Sequence, residues 1–85
     1  MLIKVLAAET NLGSATNVGS ATVVRLLNNQ NSAAAVTRKD SGGTTIGSLT
    51  VNTKETVYLE KVSTDTLTAA SNGGSVLVSK VAYGN

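Results

Sequence analysis

The sequence predicts an all-β fold, a small antiparallel β-sandwich or barrel of about six to eight short strands, built as one domain over residues 1–85. Two observations predict this class. Short runs rich in Val, Thr, Ile and Leu recur roughly every ten to twelve residues, and clusters of Gly, Asn, Asp and Ser separate them. The chain has no Phe, Trp or Pro, so aliphatic side chains must supply almost all of the core.

Each apolar run predicts one strand. The first run lies at the N-terminus, and a Gly/Ser/Asn-rich stretch separates it from the second. Four more runs follow, each bounded by turn-forming residues. The predicted strands are residues 2–8, 21–28, 33–39, 44–51, 56–62 and 75–83. Residues 65–70 are either a further short strand or a helical turn.

A tandem hexapeptide fills the stretch before the second strand. Residues 11–16 read Asn-Leu-Gly-Ser-Ala-Thr, and residues 17–22 read Asn-Val-Gly-Ser-Ala-Thr. Two copies are too few for a solenoid, in which several repeats must stack before a core exists. Residues 11–20 are therefore either a loop leading into the second strand or an arm that orders only on a partner.

The clearest local structure is a hairpin of residues 33–39 and 44–51, joined by the loop 40–43. This loop length predicts that Gly47 lies opposite Val36. The core face then carries Ala34, Val36, Leu49 and Val51. Period-two geometry places the next strand beside the hairpin, with Val57 and Leu59 next to Leu49 and Val51. The outward side chains are Ile46, Tyr58, Glu60 and Val62.

The strands at residues 2–8, 21–28 and 75–83 carry apolar residues at both parities. A strand that is apolar on both faces indicates a second buried surface, and part of that surface can be intermolecular. Docking on a larger body, or formation of a homo-oligomer, also adds buried area to a chain this small.

The residue types exclude most catalytic chemistry. The chain has no His and no Cys, which are the commonest general base, the strongest nucleophile and the main transition-metal ligands. The pairs Gly42-Gly43 and Gly73-Gly74 lack the Gly-Lys-Ser/Thr ending of a phosphate loop and predict turns. We therefore predict that the protein is not an enzyme and has no catalytic residue, no metal site and no cofactor.

Charge and hydropathy argue against two further partners. The formal net charge is only +2, and the seven basic residues are spread along the chain without interleaved aromatic residues. This pattern predicts no nucleic-acid binding. There is no run of about 20 apolar residues, which predicts no membrane span, and no secretion signal is readable before Glu9.

Residues 58–67 are the densest mixture of aromatic, charged and turn-forming groups. In a structural role, Asp65 and Thr64 bond nearby backbone amides where the strand ends, and Leu67 closes over the core. In a functional role, the same segment is a contact patch with an amphipathic Tyr at its centre and opposite charges, Lys61 and Asp65, at its rim. The two roles are compatible. The predicted partner-binding residues are Ile46, Tyr58, Lys61, Val62 and Asp65.

Several segments together resemble small virion structural proteins of tailed phages that infect marine bacteria such as cyanobacteria. They are residues 6–11 (Leu-Ala-Ala-Glu-Thr-Asn), 36–40 and 45–48 of the hairpin, 58–61 and 64–67, and the ending 81–83 (Val-Ala-Tyr). The resemblance spans most of the chain.

The resemblance implies a non-enzymatic protein made in the host cytoplasm and carried in many copies on the virion. The leading expectation is a capsid decoration or cement protein on the capsid surface, bound to the major capsid protein or another virion protein. A tail, neck or fibre component and a cellular β-type binding module are the alternatives, and they stay open at this point.

Overall fold

The computed structural model describes residues 2–69 and 76–83, and over these ranges the chain forms antiparallel strands and no helix. The predicted all-β class is confirmed. The strands are β1 (Ile3–Val5), β2 (Thr10–Asn11), β3 (Val23–Asn28), β4 (Ala34–Lys39), β5 (Thr45–Val51), β6 (Thr56–Glu60), β7 (Thr66–Ala69) and β8 (Val76–Tyr83).

The strands form two sheets. The larger sheet has the order β1-β8-β3-β6, with β2 also paired to β8, and the smaller sheet has the order β5-β4-β7. The inward-facing aliphatic side chains of both sheets form one core. Its fully or almost fully buried members are Leu12, Ala21, Val24, Leu26, Ala34, Val36, Val51, Leu67, Val76 and Val78.

The N-terminal run forms two short strands instead of the single predicted strand 2–8. Both β1 and β2 pair with β8, with Val5 opposite Val81 and Thr10 opposite Val78. Four residues of the N-terminal segment therefore face only two residues of β8. The ladder is interrupted after the Leu6 N–H, which donates to the Lys80 carbonyl at 2.9 Å, and it resumes at Thr10.

The β4–β5 hairpin forms, but its predicted register is wrong by two residues. Val36 lies opposite Leu49, and Gly47 lies opposite Arg38 rather than Val36. The cause is a β-bulge between Arg38 and Lys39, where Ile46 is the extra residue on β5. The loop is also one residue shorter than predicted, because Asp40 pairs with Thr44. The bulge and the shorter loop each shift the register by one residue, and neither can be recognised from the spacing of the two runs in the sequence.

The loop of this hairpin is closed by Asp40. Its backbone N–H donates to the Thr44 carbonyl at 2.9 Å, and its Oδ1 accepts the N–H groups of Gly42 and Thr44 at 2.9 and 3.0 Å. Gly43 has a φ of 87°, a left-handed conformation that favours glycine. The predicted turn at Gly42-Gly43 is thus present, whereas the one at Gly73-Gly74 lies outside the described residues.

The prediction that β6 lies beside β5 is wrong. The two strands belong to different sheets, and β6 pairs with β3. Val51 is nevertheless fully buried, and Leu49, Val57 and Leu59 pack against the same core. The four side chains meet across the sandwich rather than along one sheet, because alternation fixes the face of a strand but not its neighbour.

Asn28 positions this crossover. The side chain is fully buried at the end of β3, and its Nδ2 donates to the carbonyls of Ser32 and Val51 at 2.8 and 2.9 Å. Its backbone bonds the turn that follows β5, accepting the Lys54 N–H at 2.8 Å and donating to the Glu55 carbonyl at 3.1 Å. These bonds bring the chain across from the smaller sheet to the edge of β3.

The two copies of the hexapeptide adopt different conformations. In the first copy, Leu12 is buried in the core and its N–H donates to the Val76 carbonyl at 2.7 Å. In the second copy, Val18, Gly19 and Ser20 have φ values of 55°, 60° and 59°. Thr16, the last residue of the first copy, pairs with Leu67 of β7. Apart from Asn11, which belongs to β2, residues 11–20 thus form a loop that lies against the β7 edge of the smaller sheet.

Candidate interaction surface

Most of the carboxylates have local structural partners. Asp40 closes the hairpin loop, and Glu55 accepts the Asn52 N–H at 2.9 Å in the turn after β5. Glu9 forms an ion pair with Arg25 at 2.9 Å, and Asp65 forms one with Arg38. No group of three or more potential metal ligands occurs in the described part of the chain, and no helix there could span a membrane.

The structure leaves three of the five predicted partner-binding residues exposed. The exposed fractions are 50% for Ile46, 39% for Tyr58 and 57% for Val62. They do not form one face, however. Ile46 belongs to the smaller sheet and lies at a groove that Leu59 also lines. Tyr58 points to the opposite side of β6 from Leu59, because successive side chains of a strand alternate.

The other two predicted residues, Lys61 and Asp65, are not at an exposed rim. Their exposed fractions are only 4% and 3%. Asp65 Oδ2 accepts the Arg38 Nε–H at 2.7 Å and the Val62 N–H at 3.1 Å. The Lys61 Nζ donates to the Val62 carbonyl at 3.3 Å. The expected exposed position is therefore wrong: Asp65 holds the turn between β6 and β7 through its hydrogen bonds, and Lys61 is buried beside it.

The electrostatics of this cluster follow from its geometry. Burial alone would raise the pKa of Asp65, but the hydrogen bonds from Arg38 and Val62 and the nearby positive charges outweigh it and hold that pKa below its ordinary value. Burial lowers the pKa of Lys61, Asp65 opposes that change, and the Arg38 charge adds to it. The Asp65 carboxylate thus interacts electrostatically with two cations, Arg38 and Lys61.

The outer face of the larger sheet is unusually apolar. Val24 and Leu26 of β3 face the core, so the residues that alternate with them in β3 face outward. The residues paired with these outward positions on the neighbouring strands face outward as well. Aliphatic and aromatic side chains of four strands therefore share the outer face. They are Ile3, Val5, Val23, Leu27, Tyr58, Leu77, Val81 and Tyr83.

The apolar outer face has a packed middle and exposed margins. Val23 and Val81 are already buried by their neighbours, whereas Tyr58 on β6 and both Val5 and Tyr83 near β1 are exposed. The charged groups of this face are the Arg25–Glu9 ion pair in its middle, which carries no net charge, and Glu60 at the β6 margin, opposite Val23. The predicted strands at residues 2–8, 21–28 and 75–83 carry apolar residues on both faces, and this outer face is where their second set of apolar side chains lies.

The outer face of the smaller sheet has the opposite character. Val36 and Leu67 face the core, so their strand neighbours and the residues paired with these neighbours face outward. These outward residues are Ala35, Thr37, Lys39, Ser48, Thr50, Thr66 and Thr68, with Lys39 the one charged member. Short hydroxyl side chains with little apolar area cover this face. The sandwich therefore presents one polar and one apolar outer surface.

A groove of about 190 Å³ opens between the sheets on the side of β5 and β6. Its floor is apolar, with Val36, Leu59 and Leu67, and β5 forms one wall with Ile46 and Leu49. Arg38 lies at its end. Among the described strands, β5 pairs only with β4, so the opposite edge of β5 borders the groove without a partner strand.

No family model, curated protein or solved structure matches this chain. The chemistry of its surfaces therefore carries the functional argument.

Sequence reasoning missed the inward position of Arg38 and the buried role of Asn28. A signal for Arg38 was present, because it shares its parity in β4 with the core residues Ala34 and Val36. No such signal marks Asn28, whose partners Ser32 and Val51 lie on two different segments.

Proposed function

We propose that this protein is a non-enzymatic structural component of a phage virion, a decoration or cement protein that binds the capsid shell through the apolar outer face of its larger sheet. The observation that carries the proposal is the contrast between the two outer faces. A face with several exposed apolar side chains on a small soluble β-module is typical of a surface that a partner covers.

The make-up of the apolar outer face fits a large rigid partner. Tyr58 and Tyr83 are exposed on this face, and tyrosine is enriched in protein interfaces relative to the rest of the surface. The backbone beneath them is a paired sheet, so little conformational entropy is lost on docking. The Arg25–Glu9 pair satisfies the charges in the middle of the face internally, and the exposed Glu60 at the β6 margin is left for the partner to solvate or pair.

The resemblance to small virion proteins supplies the identity of the partner, which the fold does not. The major capsid protein is the most abundant surface of such a particle. We therefore assign the shell contact to Tyr58 and its neighbours on the apolar outer face, and extend it to the exposed Val62, two residues beyond the end of β6. In this proposal, Asp65 acts indirectly by holding the turn that presents Val62, and the buried Lys61 contacts the Val62 carbonyl without reaching the partner.

Co-sedimentation with separated virion parts tests the proposal. Heads of a tailed phage of the resembled class would be stripped of their small outer proteins, and tails and host cells would be prepared in parallel. We expect saturable binding to heads and none to tails or cells. Binding to tails alone would assign a tail or neck role, binding to cells would assign a fibre role, and binding to none of them would reject the virion assignment.

A further inference from the structure

The free edge of β5 is unprotected. Natural sheets blunt exposed edges with charged residues, Pro, bulges or a covering segment. The strand Thr45–Val51 has no charged residue and no Pro, and its bulge lies at Ile46, near one end. The stretch Gly47–Thr50 is therefore a regular, uncharged edge whose outward backbone N–H and C=O groups have no strand partner among the described residues.

We propose that two copies of this chain associate through β5, in an antiparallel pairing centred on Ser48. Each smaller sheet then continues into the other, giving a six-stranded sheet across the dimer. In an antiparallel pair, directly opposite residues point to the same face of the sheet. When a strand pairs with its own copy, the two-fold axis must therefore pass through a residue and not between two residues. With Ser48 opposite the partner's Ser48, the exposed part of β5 is covered from Ile46 to Thr50.

The shape of the groove favours this register. Gly47 lies at the groove, and a side chain placed there would meet nothing within 4 Å. In the proposed pairing, Gly47 lies opposite the partner's Leu49. That side chain enters the open space above Leu59 and covers the apolar floor of the groove. The two-fold axis repeats the same contact on the other copy, so both grooves are closed at once.

The charges at the two ends of β5 are compatible with self-pairing. Lys39 and Asp40 precede the strand, and Lys54 and Glu55 follow it. In an antiparallel pair, the start of β5 in one copy lies near the end of β5 in the other. Lys39 and Asp40, whose charges cancel, therefore lie near Lys54 and Glu55 of the other copy, whose charges also cancel. A second copy is therefore an uncharged edge strand that brings no net repulsion to the contact.

Cysteine cross-linking tests the pairing and its register. The natural chain has no Cys, so Ser48→Cys and Thr50→Cys each carry one thiol. Both positions are exposed on the same side of β5. The two Ser48 positions are directly opposite, within disulfide range, whereas the two Thr50 positions lie about 13 Å apart, four residues at about 3.3 Å each.

We expect Ser48→Cys to form a covalent species of twice the chain mass of 8.6 kDa under mild oxidation, and at least tenfold faster than Thr50→Cys. Equal rates for the two variants would overturn the register. A wild-type chain that sediments as a monomer at its highest soluble concentration, together with no preferential cross-link at position 48, would overturn the dimer.

Charge variants give an independent readout. Ser48→Lys and Ser48→Glu each place like charges opposite one another, so each variant alone is expected to be monomeric, and an equimolar mixture is expected to dimerise. Ala35→Lys is the matched control, because it adds the same charge to an exposed position of the same face on β4, away from the edge. Dimerisation of Ser48→Lys alone would contradict the proposal. These measurements use free protein and do not depend on shell binding.

Discussion

Arg38 and Asp65 form an ion pair at the inner face of the smaller sheet, with Arg38 Nε donating to Asp65 Oδ2 at 2.7 Å. Arg38 occupies an inward position of β4, in line with the buried side chains of Ala34 and Val36. Asp65 also accepts the Val62 N–H just after β6. The pair therefore ties the central strand of one sheet to the segment that leaves the other.

Replacing Asp65 with Asn should destabilise the fold in a pH-dependent way. The pKa of Asp65 is lowered in the folded state, so the unfolded chain takes up its proton first as the pH falls. The stabilisation is complete above the ordinary Asp pKa of about 3.9 and is lost as the pH falls through the lower folded pKa. We expect Asp65→Asn to lower the thermal midpoint clearly at neutral pH, with the gap to wild type closing in acid.

Thermal unfolding followed by circular dichroism from neutral pH into acid would measure this gap. Glu9→Gln is the control, because it breaks the more exposed Arg25–Glu9 pair and exposed pairs contribute little. A gap for Asp65→Asn that stays constant with pH, or is no larger than that for Glu9→Gln, would refute the role assigned to Asp65.

Lys61 should change stability in the same pH direction as Asp65, but in an alkaline window and because burial disfavours its charged form. Burial lowers its pKa, so between the folded pKa and the ordinary value of about 10.4 the unfolded chain holds more protons. Wild-type stability therefore gains from Lys61 as the pH rises through that window, and Lys61→Met removes the gain. We expect Lys61→Met to be at least as stable as wild type at neutral pH and to lose this advantage near pH 10.

Urea unfolding at a series of alkaline pH values would test this expectation, with Lys4→Met as the variant that removes an exposed lysine. A strong loss of stability in Lys61→Met at neutral pH would mean that the Lys61 contacts to Val62 and Asp65 outweigh its burial.

The sequence predicts the strands and their faces well because alternation is a local property. The hairpin, the core side of β5 and the doubly apolar runs that form the larger sheet are all readable from period two. The strand that pairs with β6 cannot be read from this alternation, because the pairing depends on the buried contacts of Asn28 with Val51 and with the turn after β5. For the same reason, the sequence identifies Tyr58 as outward but does not separate it from Ile46.

Truncations in the core should rank by burial. Leu26 is fully buried in β3, whereas Leu59 at the edge strand β6 is only partly buried. We expect Leu26→Ala to cost about 3–5 kcal/mol of unfolding free energy and Leu59→Ala about 1–2 kcal/mol, because the groove already exposes part of Leu59. Chemical denaturation would measure both. Equal costs would contradict the open groove on that side of the sandwich.

The hexapeptide copies provide a matched pair of backbone tests. Ser20 has a φ of 59°, a conformation that is strained for any residue with a Cβ, and Ser14 holds the equivalent position in the first copy without a positive φ. We expect Ser20→Gly to stabilise the protein by about 0.5–1 kcal/mol and Ser14→Gly to be neutral or slightly destabilising. The reverse order in urea unfolding would contradict the left-handed turn at residues 18–20.

Binding of the shell through the apolar outer face of the larger sheet is measured by the occupancy of Tyr58→Ala on stripped heads. Thr37→Ala truncates a side chain on the polar face of the smaller sheet and is the matched control. At a limiting concentration of protein, we predict at least a tenfold loss of bound Tyr58→Ala, wild-type occupancy for Thr37→Ala, and thermal midpoints near wild type for both. Equal occupancy of Tyr58→Ala and wild type would contradict binding through this face.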